Sequence, residues 1–382
     1  MSLLCLNAGS STLKLSLFDD DAKHEVAALV VARGEGRESM RETLERGLHE
    51  LAARAPKEAA GIHAIGHRVV HCGGAWCRPT RIDTHVRATI ARNEEFAPLH
   101  NHAELQAITA AMHLFPDVPH VAAFDSTFFA DLPERVTVYP LPFAWHEEWG
   151  VRRFGFHGLN HEYAATRAAE MLGREVSGLR AVVLHLGNGC SASAVSGGKP
   201  VATSMGFTPL EGLMMGTRSG SVDPGILVYV QRRHGLDVEA LDRALNFESG
   251  LLGVSGVSAD VREVEAAAAG GHARARLALE IYAERTRTVV GCLAVAMGGV
   301  DVLVFTAGVG EHSAGVRASI CEGLQCLGLR LDEGLNSTAE ADADVTAAYS
   351  TGKILVIRAR EALMIARATR EVVATEGAAA RV

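Results

Sequence analysis

The sequence predicts an α/β protein built from two similar domains that face each other across a ligand-binding cleft, and three observations carry that expectation. Apolar runs that end in small-residue turns recur at residues 3–11, 181–189 and 302–310. The first two runs return as alternating segments at 13–17 and 191–195, about 180 positions apart, which reads as an internal duplication. Stretches with helical spacing of apolar residues lie between these units.

Taken in order, residues 3–7 form a strand, 8–11 a turn, and 13–17 the return strand. A polar linker leads to a helix on which Met40, Leu44, Leu48 and Leu51 share one face. Residues 64–71 read as a strand that enters the turn Cys72-Gly73-Gly74, 103–112 as a helix, and 121–124 as a strand ending at Asp125. Pro133, Pro140 and Pro142 break the pattern and mark a domain boundary. Beyond it come strands 181–186 and 191–195 around Gly187-Asn188-Gly189. A strand at 302–306 then enters Ala307-Gly308-Val309-Gly310-Glu311 and a helix, and strand 354–357 precedes a last helix at 361–374.

Composition narrows the function classes. The 382 residues are 48% apolar and 21% charged, too hydrophobic for disorder and long enough for two or three domains. The net charge of −8 (37 basic against 45 acidic residues) argues against a nucleic-acid partner. Without a run of ~18 apolar residues or a signal-peptide pattern, a soluble cytoplasmic protein is expected, with no membrane partner. The seven cysteines form no C-x-x-C pair and read as reduced thiols, Cys5 and Cys292 among them as buried small hydrophobes. His157 and His161 stand four apart, but no H-E-x-x-H or Cys/His cluster supports zinc.

Chemistry concentrates at the glycine turns and at two arginines. In Asn7-Ala8-Gly9-Ser10-Ser11-Thr12-Leu13-Lys14, backbone N–H groups and the Ser10 and Thr12 hydroxyls can face an anion that Lys14 also reaches. A solvated glycine hairpin is the plainer reading of that segment, and a type I′ hairpin that of Gly187-Asn188-Gly189. The third turn, Gly308-Val309-Gly310, is read as preceding a helix whose N-terminus suits an anion or ribose. Arg68 lies inside an apolar strand and Arg218 between glycines. Each calls for an anion or a structural carboxylate, and together with His157 they suit a phosphoryl group in transfer. Asp125 and Glu361 can hold Mg²⁺, Glu361 alternatively serving only its helix dipole. The residues alone therefore imply phosphoryl or anion handling.

Taken together, the segments 7–14, 66–71, 97–101, 153–158, 185–189, 204–212, 216–224 and 305–311 resemble the acetate kinase family, in the family's order and over nearly the whole chain. That family belongs to the superfamily of acetate and sugar kinases, heat-shock ATPases and actin. The resemblance implies two duplicated actin-like, ribonuclease H-like domains with an interdomain active-site cleft. One would span 1–128 plus a returning 363–382, the other 129–362. It implies reversible, Mg²⁺- or Mn²⁺-dependent phosphoryl transfer between ATP/ADP and acetate, a homodimer, and a place in acetyl-CoA biosynthesis.

Carried over by motif, Asn7 and Glu361 position the metal, and Ser10, Thr12 and Lys14 face the phosphates. His185, Leu186, Gly187, Asn188 and Gly189 hold the nucleotide, with Asp260, Val261 and Arg262 and with Gly308, Val309, Gly310, Glu311 and His312. Arg68 binds the substrate carboxylate beside the apolar Val70, Leu99, Phe156 and Pro209, and Asp125, His157 and Arg218 are the catalytic set. A carboxylate oxygen is already a nucleophile at neutral pH, so Asp125 is expected to orient or hold metal more than to abstract a proton.

This chain departs from the family pattern at Thr12, Cys72, Phe129, Val261, His312 and the segment Ala359-Arg360-Glu361-Ala362, and its 20–60 loop is short. A kinase for propionate or another short acid remains open, because one methylene is worth only ~1–3 kcal/mol of discrimination. So do a non-catalytic nucleotide-binding scaffold and, from the glycine turns alone, a phosphate carrier.

Overall fold

A computed structural model describes residues 1–9, 12–34, 38–71, 73–74, 76, 78–94 and 101–379. The chain divides into two compact units. The first comprises Met1–Ala130, Phe156–Asn160 and Arg360–Val382, and the second Asp131–Gly155 and His161–Ala359.

The first unit is built on β1 (Ser2–Ala8), β2 (Thr12–Asp19), β3 (Glu25–Ala32), β4 (Ile62–Val69), β5 (Thr80–Arg81) and β6 (His120–Phe124). They form one sheet in the order β3-β2-β1-β4-β6-β5. β1 pairs antiparallel with β2 but parallel with β4, and β4 runs parallel to β6. Residues Leu3 to Leu6 are buried on both faces, which explains their unbroken apolar run. Helices Met40–Arg54 and Asn101–Leu114 pack together, and their inner faces join Leu4, Leu6, Leu13, Leu15, Leu17 and Ile65 in one core. A capping box of Ser39 and Glu42 starts the first of these helices.

The second unit repeats the plan with β7 (Arg180–Leu186), β8 (Cys190–Ser196), β9 (Lys199–Thr203), β10 (Val302–Thr306), β11 (Ala343–Asp344) and β12 (Lys353–Val356). Their order is β11-β12-β10-β7-β8-β9, with β7/β8 antiparallel and β7/β10 and β10/β12 parallel. Strand for strand the pairing senses match those of the first unit. The duplicated hairpins β1–β2 and β7–β8 are therefore equivalent, and the α/β class and duplicated architecture expected from the sequence are what the structure contains.

Several local expectations need correction. Residues 25–32, read as part of a polar linker, form edge strand β3, in which both the inner Ala27, Leu29 and Val31 and the outer Val26, Ala28 and Val30 are apolar, so no alternation marks it. Gly308 and Gly310 are themselves helical, within the short helix Ala307–His312, which runs directly into the helix Ala314–Cys321. The turn into the first of these is made by Ala307, which takes φ +66°, a conformation usually left to glycine. The last helix runs further than 374, as Glu361–Ala379. Cys292 is exposed on the outer side of the helix Ala273–Ala296, whereas Cys5 is buried as expected. Among the described residues, no helix is long and apolar enough to cross a membrane.

Candidate active site

In the first unit, four predicted residues converge at the C-terminal ends of the parallel strands. Arg68, the penultimate residue of β4, grips Asp125, the residue after β6, through a two-pronged ion pair. Nε donates to Oδ1 at 3.0 Å and Nη2 to Oδ2 at 2.6 Å. The remaining prong, Nη1, donates to Asn7 Oδ1 at 3.3 Å and lies 3.7 Å from Glu361. Asn7 Nδ2 in turn donates to Glu361 Oε2 at 3.1 Å.

The fold makes this cluster. Parallel pairing of β4 with β1 and β6 brings Arg68 beside both Asn7 and Asp125, and the helix beginning at Glu361 packs across the same strands. Burial opposes charge on Arg68, but the Asp125 and Glu361 carboxylates outweigh it and raise the guanidinium's pKa. Burial lifts the Asp125 carboxyl above its usual range, opposed by the same guanidinium and by the His157 N–H.

Asp125, expected beside a metal or the reacting group, and Arg68, expected on the substrate, bond each other. Buried Phe156 lies against His71, with ring centroids 5.3 Å apart. His157 holds φ +59°, which turns its backbone N–H to Asp125. Val70 is buried just beyond β4. Phe129, where the family pattern has an imidazole, is 1% exposed and stacks edge-on with Phe128.

The donor set here suits a hard divalent cation. Glu361 supplies a carboxylate with a partly exposed side chain and Asn7 an amide oxygen, while Asp125 is committed to Arg68. Such a site offers Mg²⁺ one carboxylate and leaves room for phosphate oxygens and water. Lys14 is exposed on β2 directly opposite Asn7, with Thr12 half-buried at the start of that strand. Ser10, Leu99 and Cys72 lie outside the described residues.

The second unit holds a cavity of about 650 Å³. Gly187 and Asn188 of the β7–β8 hairpin line it, with Asp260, Val261 and Arg262 at the start of the helix Val261–Ala269. Gly308, Val309 and His312 complete the wall. Three sequence segments more than forty residues apart are thus brought to one concavity. His185 and Leu186 are buried at the end of β7, and Gly189 closes the hairpin through the Gly187 N–H at 3.1 Å.

Gly310 and Glu311 do not line the cavity but fix its wall. The fully buried Arg317 donates to the Gly310 carbonyl at 3.0 Å and to the Glu311 carbonyl at 2.9 Å. The Glu311 carboxylate takes the Ala359 N–H at 2.8 Å. Sequence reading missed Ser258, Ala259, Glu265 and Ser313 on the lining. Glu265 stands one helical turn beyond Val261, a spacing that could have found it, and accepts from Ser313 Oγ at 2.6 Å.

Arg218 is also in the second unit, 5% exposed, on the glycine-flanked loop. Nη1 donates to the carbonyl of buried Pro209 at 2.7 Å, and among the described residues no carboxylate pairs with it. Burial pulls its pKa below the usual arginine value. A buried guanidinium without an anion is costly, and a ligand anion would relieve it. His161, the other half of the i, i+4 histidine pair, is buried with its ring nitrogens 2.7 Å from the Ser191 and Ser193 hydroxyls.

Comparison with known proteins agrees with this chemistry. Residues 31–367 match the model of the Acetokinase family. The acetate kinase of Gloeobacter violaceus is 45% identical over 96% of this chain and 98% of its own length. Two crystal structures superpose on 97% of this chain and 99% of their own. The acetate kinase of Porphyromonas gingivalis does so with TM-score 0.87 and 35% identity, and a propionate kinase from Francisella tularensis with TM-score 0.89 and 34% identity. With coverage that runs through both units, this chain belongs to the acetokinase family.

Proposed function

We propose that the protein is an acetate kinase that transfers the γ-phosphoryl group of ATP to acetate, reversibly, giving acetyl phosphate and ADP. The observation that carries this reading is a phosphate-suited cavity together with a buried Arg218 that no carboxylate among the described residues neutralises, in a chain 45% identical to an acetate kinase across nearly its full length.

The cavity lined by Asn188, Asp260, Val261 and His312 holds the nucleotide. Arg68, oriented by the Asp125 fork, presents Nη1 to the carboxylate of the substrate, with Val70 and Phe156 as apolar walls. One carboxylate oxygen attacks the γ-phosphorus as the bond to the β–γ bridging oxygen breaks. ADP departs with that electron pair, and no proton has to move. Arg218 and His157 stabilise the charge on the transferring group. Asn7 and Glu361 would hold Mg²⁺, which would supply neutralisation of phosphate charge when bound.

The active form is a homodimer. Ile226, Val228 and Tyr229 of the helix Pro224–His234 are 50%, 45% and 58% exposed, and Val238 and Phe247 of the next helix are exposed as well. A second copy would cover these side chains. The free thiols of Cys5, Cys190, Cys292, Cys321 and Cys326 fit a cytoplasmic location.

Initial rates with Mg-ATP and formate, acetate, propionate or butyrate, trapping acyl phosphate as hydroxamate, test the reading. The expected result is trapped product with kcat/KM highest for acetate. A propionate optimum would shift only the substrate. No product with any acid while ATP still binds would favour a non-catalytic scaffold.

A further inference from the structure

Glu104 is a buried carboxyl that is only half satisfied. It sits in the first turn of the helix Asn101–Leu114, 2% exposed. Oε2 accepts the Val70 N–H at 3.0 Å, while Oε1 is buried without a hydrogen-bond partner among the described residues. The backbone it holds follows Arg68 by two residues. Asp125 lies at the matching end of β6, with its N–H bonded to Val69 at 2.9 Å. Three carboxyl groups therefore act on Arg68: Asp125 at 2.6 Å, Glu361 at 3.7 Å, and Glu104 through its field.

Helices Met40–Arg54 and Thr84–Arg92 and strands β1 and β4 pack against the Glu104 helix, and of their charged groups Arg68 is the one that acts on Glu104. Asp125, beyond β6, is the other charge it feels. His67 of β4 is turned to His120 at 3.0 Å and held neutral by burial. Burial pushes the Glu104 carboxyl up to about 8, against the pull of the Val70 N–H and Arg68. Around neutral pH it is a neutral acid that still accepts from Val70. At higher pH it becomes another anion beside Arg68.

Building on the reading of Arg68 as the carboxylate-binding cation, we propose that Glu104 is a positioning residue for the acyl substrate. In its neutral form it anchors the Val70 backbone at the pocket wall and leaves the field of Arg68 to the incoming carboxylate; ionised, it competes for that field. Substrate affinity, more than turnover, then carries the dependence on its protonation.

The test is the pH dependence, from 6.5 to 9.5, of KM for acetate, KM for ATP and kcat in the wild type and in Glu104→Gln, which keeps an acceptor for Val70 but cannot ionise. In the wild type, KM for acetate should rise about 3- to 10-fold above pH 8, as expected for one added charge at moderate range. In Glu104→Gln it should stay within about twofold over the same range, and KM for ATP should follow one curve in both proteins. The same rise in both proteins, or a KM already elevated at every pH in the variant, would overturn the proposal.

A folding readout accompanies the kinetics. The folded state keeps the Glu104 proton between the ordinary 4.5 and about 8, so stability falls as pH rises through that window. The wild-type melting temperature should therefore drop more steeply than that of Glu104→Gln, and equal slopes would count against a neutral Glu104. If the variant does not fold, proton uptake on acetate binding by the wild type at pH 8, measured by calorimetry in two buffers, replaces it. Zero uptake overturns the proposal. Arg68→Ala separates the two readings. An unchanged KM for acetate in that variant removes Arg68 from substrate binding, whereas a raised KM with identical pH curves for wild type and Glu104→Gln removes Glu104 alone.

Discussion

Arg68 and Arg218 were chosen from the sequence on the same ground, a guanidinium in an apolar or glycine-rich setting, and the structure gives them opposite states. Arg68 is neutralised by Asp125 at 2.6 Å and steadied by Asn7, whereas Arg218 has a carbonyl for a partner and no ion pair among the described residues. The 57-residue separation of Arg68 and Asp125 hides their pairing from any local reading. An unneutralised buried cation is what a phosphoryl group carrying extra charge would bind most strongly. Arg218→Ala is therefore expected to lower kcat by ~10³ or more, by analogy with other phosphoryl-stabilising arginines. No ion-pair partner is stranded by the change and only the Pro209 carbonyl loses a donor, so its melting temperature should move little. Steady-state rates and a melting curve check both, and near-normal kcat would remove Arg218 from the transfer step. Glu104 escaped sequence reading because nothing in its helix distinguishes a buried glutamate from a solvated one. Only the Val70 contact does so.

Strand ends, turns and close approaches decide where those side chains sit. Gly66 on β4 faces the last helix so closely that a Cβ would lie 2.2 Å from Thr369 Oγ1 and 2.6 Å from Ile365 Cγ2. That contact seats the helix Glu361–Ala379 and with it Glu361. Gly66→Ala should cost about 1–3 kcal/mol by overpacking and raise the Mg²⁺ concentration needed for half-maximal rate, because the helix must move to admit the methyl group. Denaturant unfolding and a metal titration of the rate test this. Unchanged stability would mean the helix yields freely. The Gly308-Val309-Gly310 segment was legible as a special turn but not as a helix. Its geometry rests on Ala307 at φ +66° and on the Arg317 cap to Gly310 and Glu311, and both depend on the packed helix Ala314–Cys321. Strand β3 was missed for another reason: Ala27, Leu29 and Val31 face the core, but the outward Val26, Ala28 and Val30 are apolar too, so no alternation marks the strand.

At the scale of the whole chain, the two sheets share strand order and pairing sense, so the repeat seen at residues 3–17 and 181–195 is one fold used twice. The proposed homodimer rests on Ile226, Val228 and Tyr229, large apolar side chains left about half exposed. Wild-type protein should sediment as a dimer at micromolar concentration. Tyr229→Glu should weaken association at least about tenfold, since an interfacial carboxylate must be desolvated. A monomeric wild type, or an unaffected variant, would remove that face from the interface. The α/β class, the duplication, the candidate glycine turns, the two candidate arginines and the family were legible without the structure, because each is read from short local segments or from their recurrence and order along the chain. The tertiary structure alone decided that Arg68 belongs to Asp125, that Arg218 stands unneutralised, that Glu104 is buried, and that three distant segments line one cavity. Those outcomes depend on strand register and parallel crossover, which bring together residues whose separation along the chain carries no local signal.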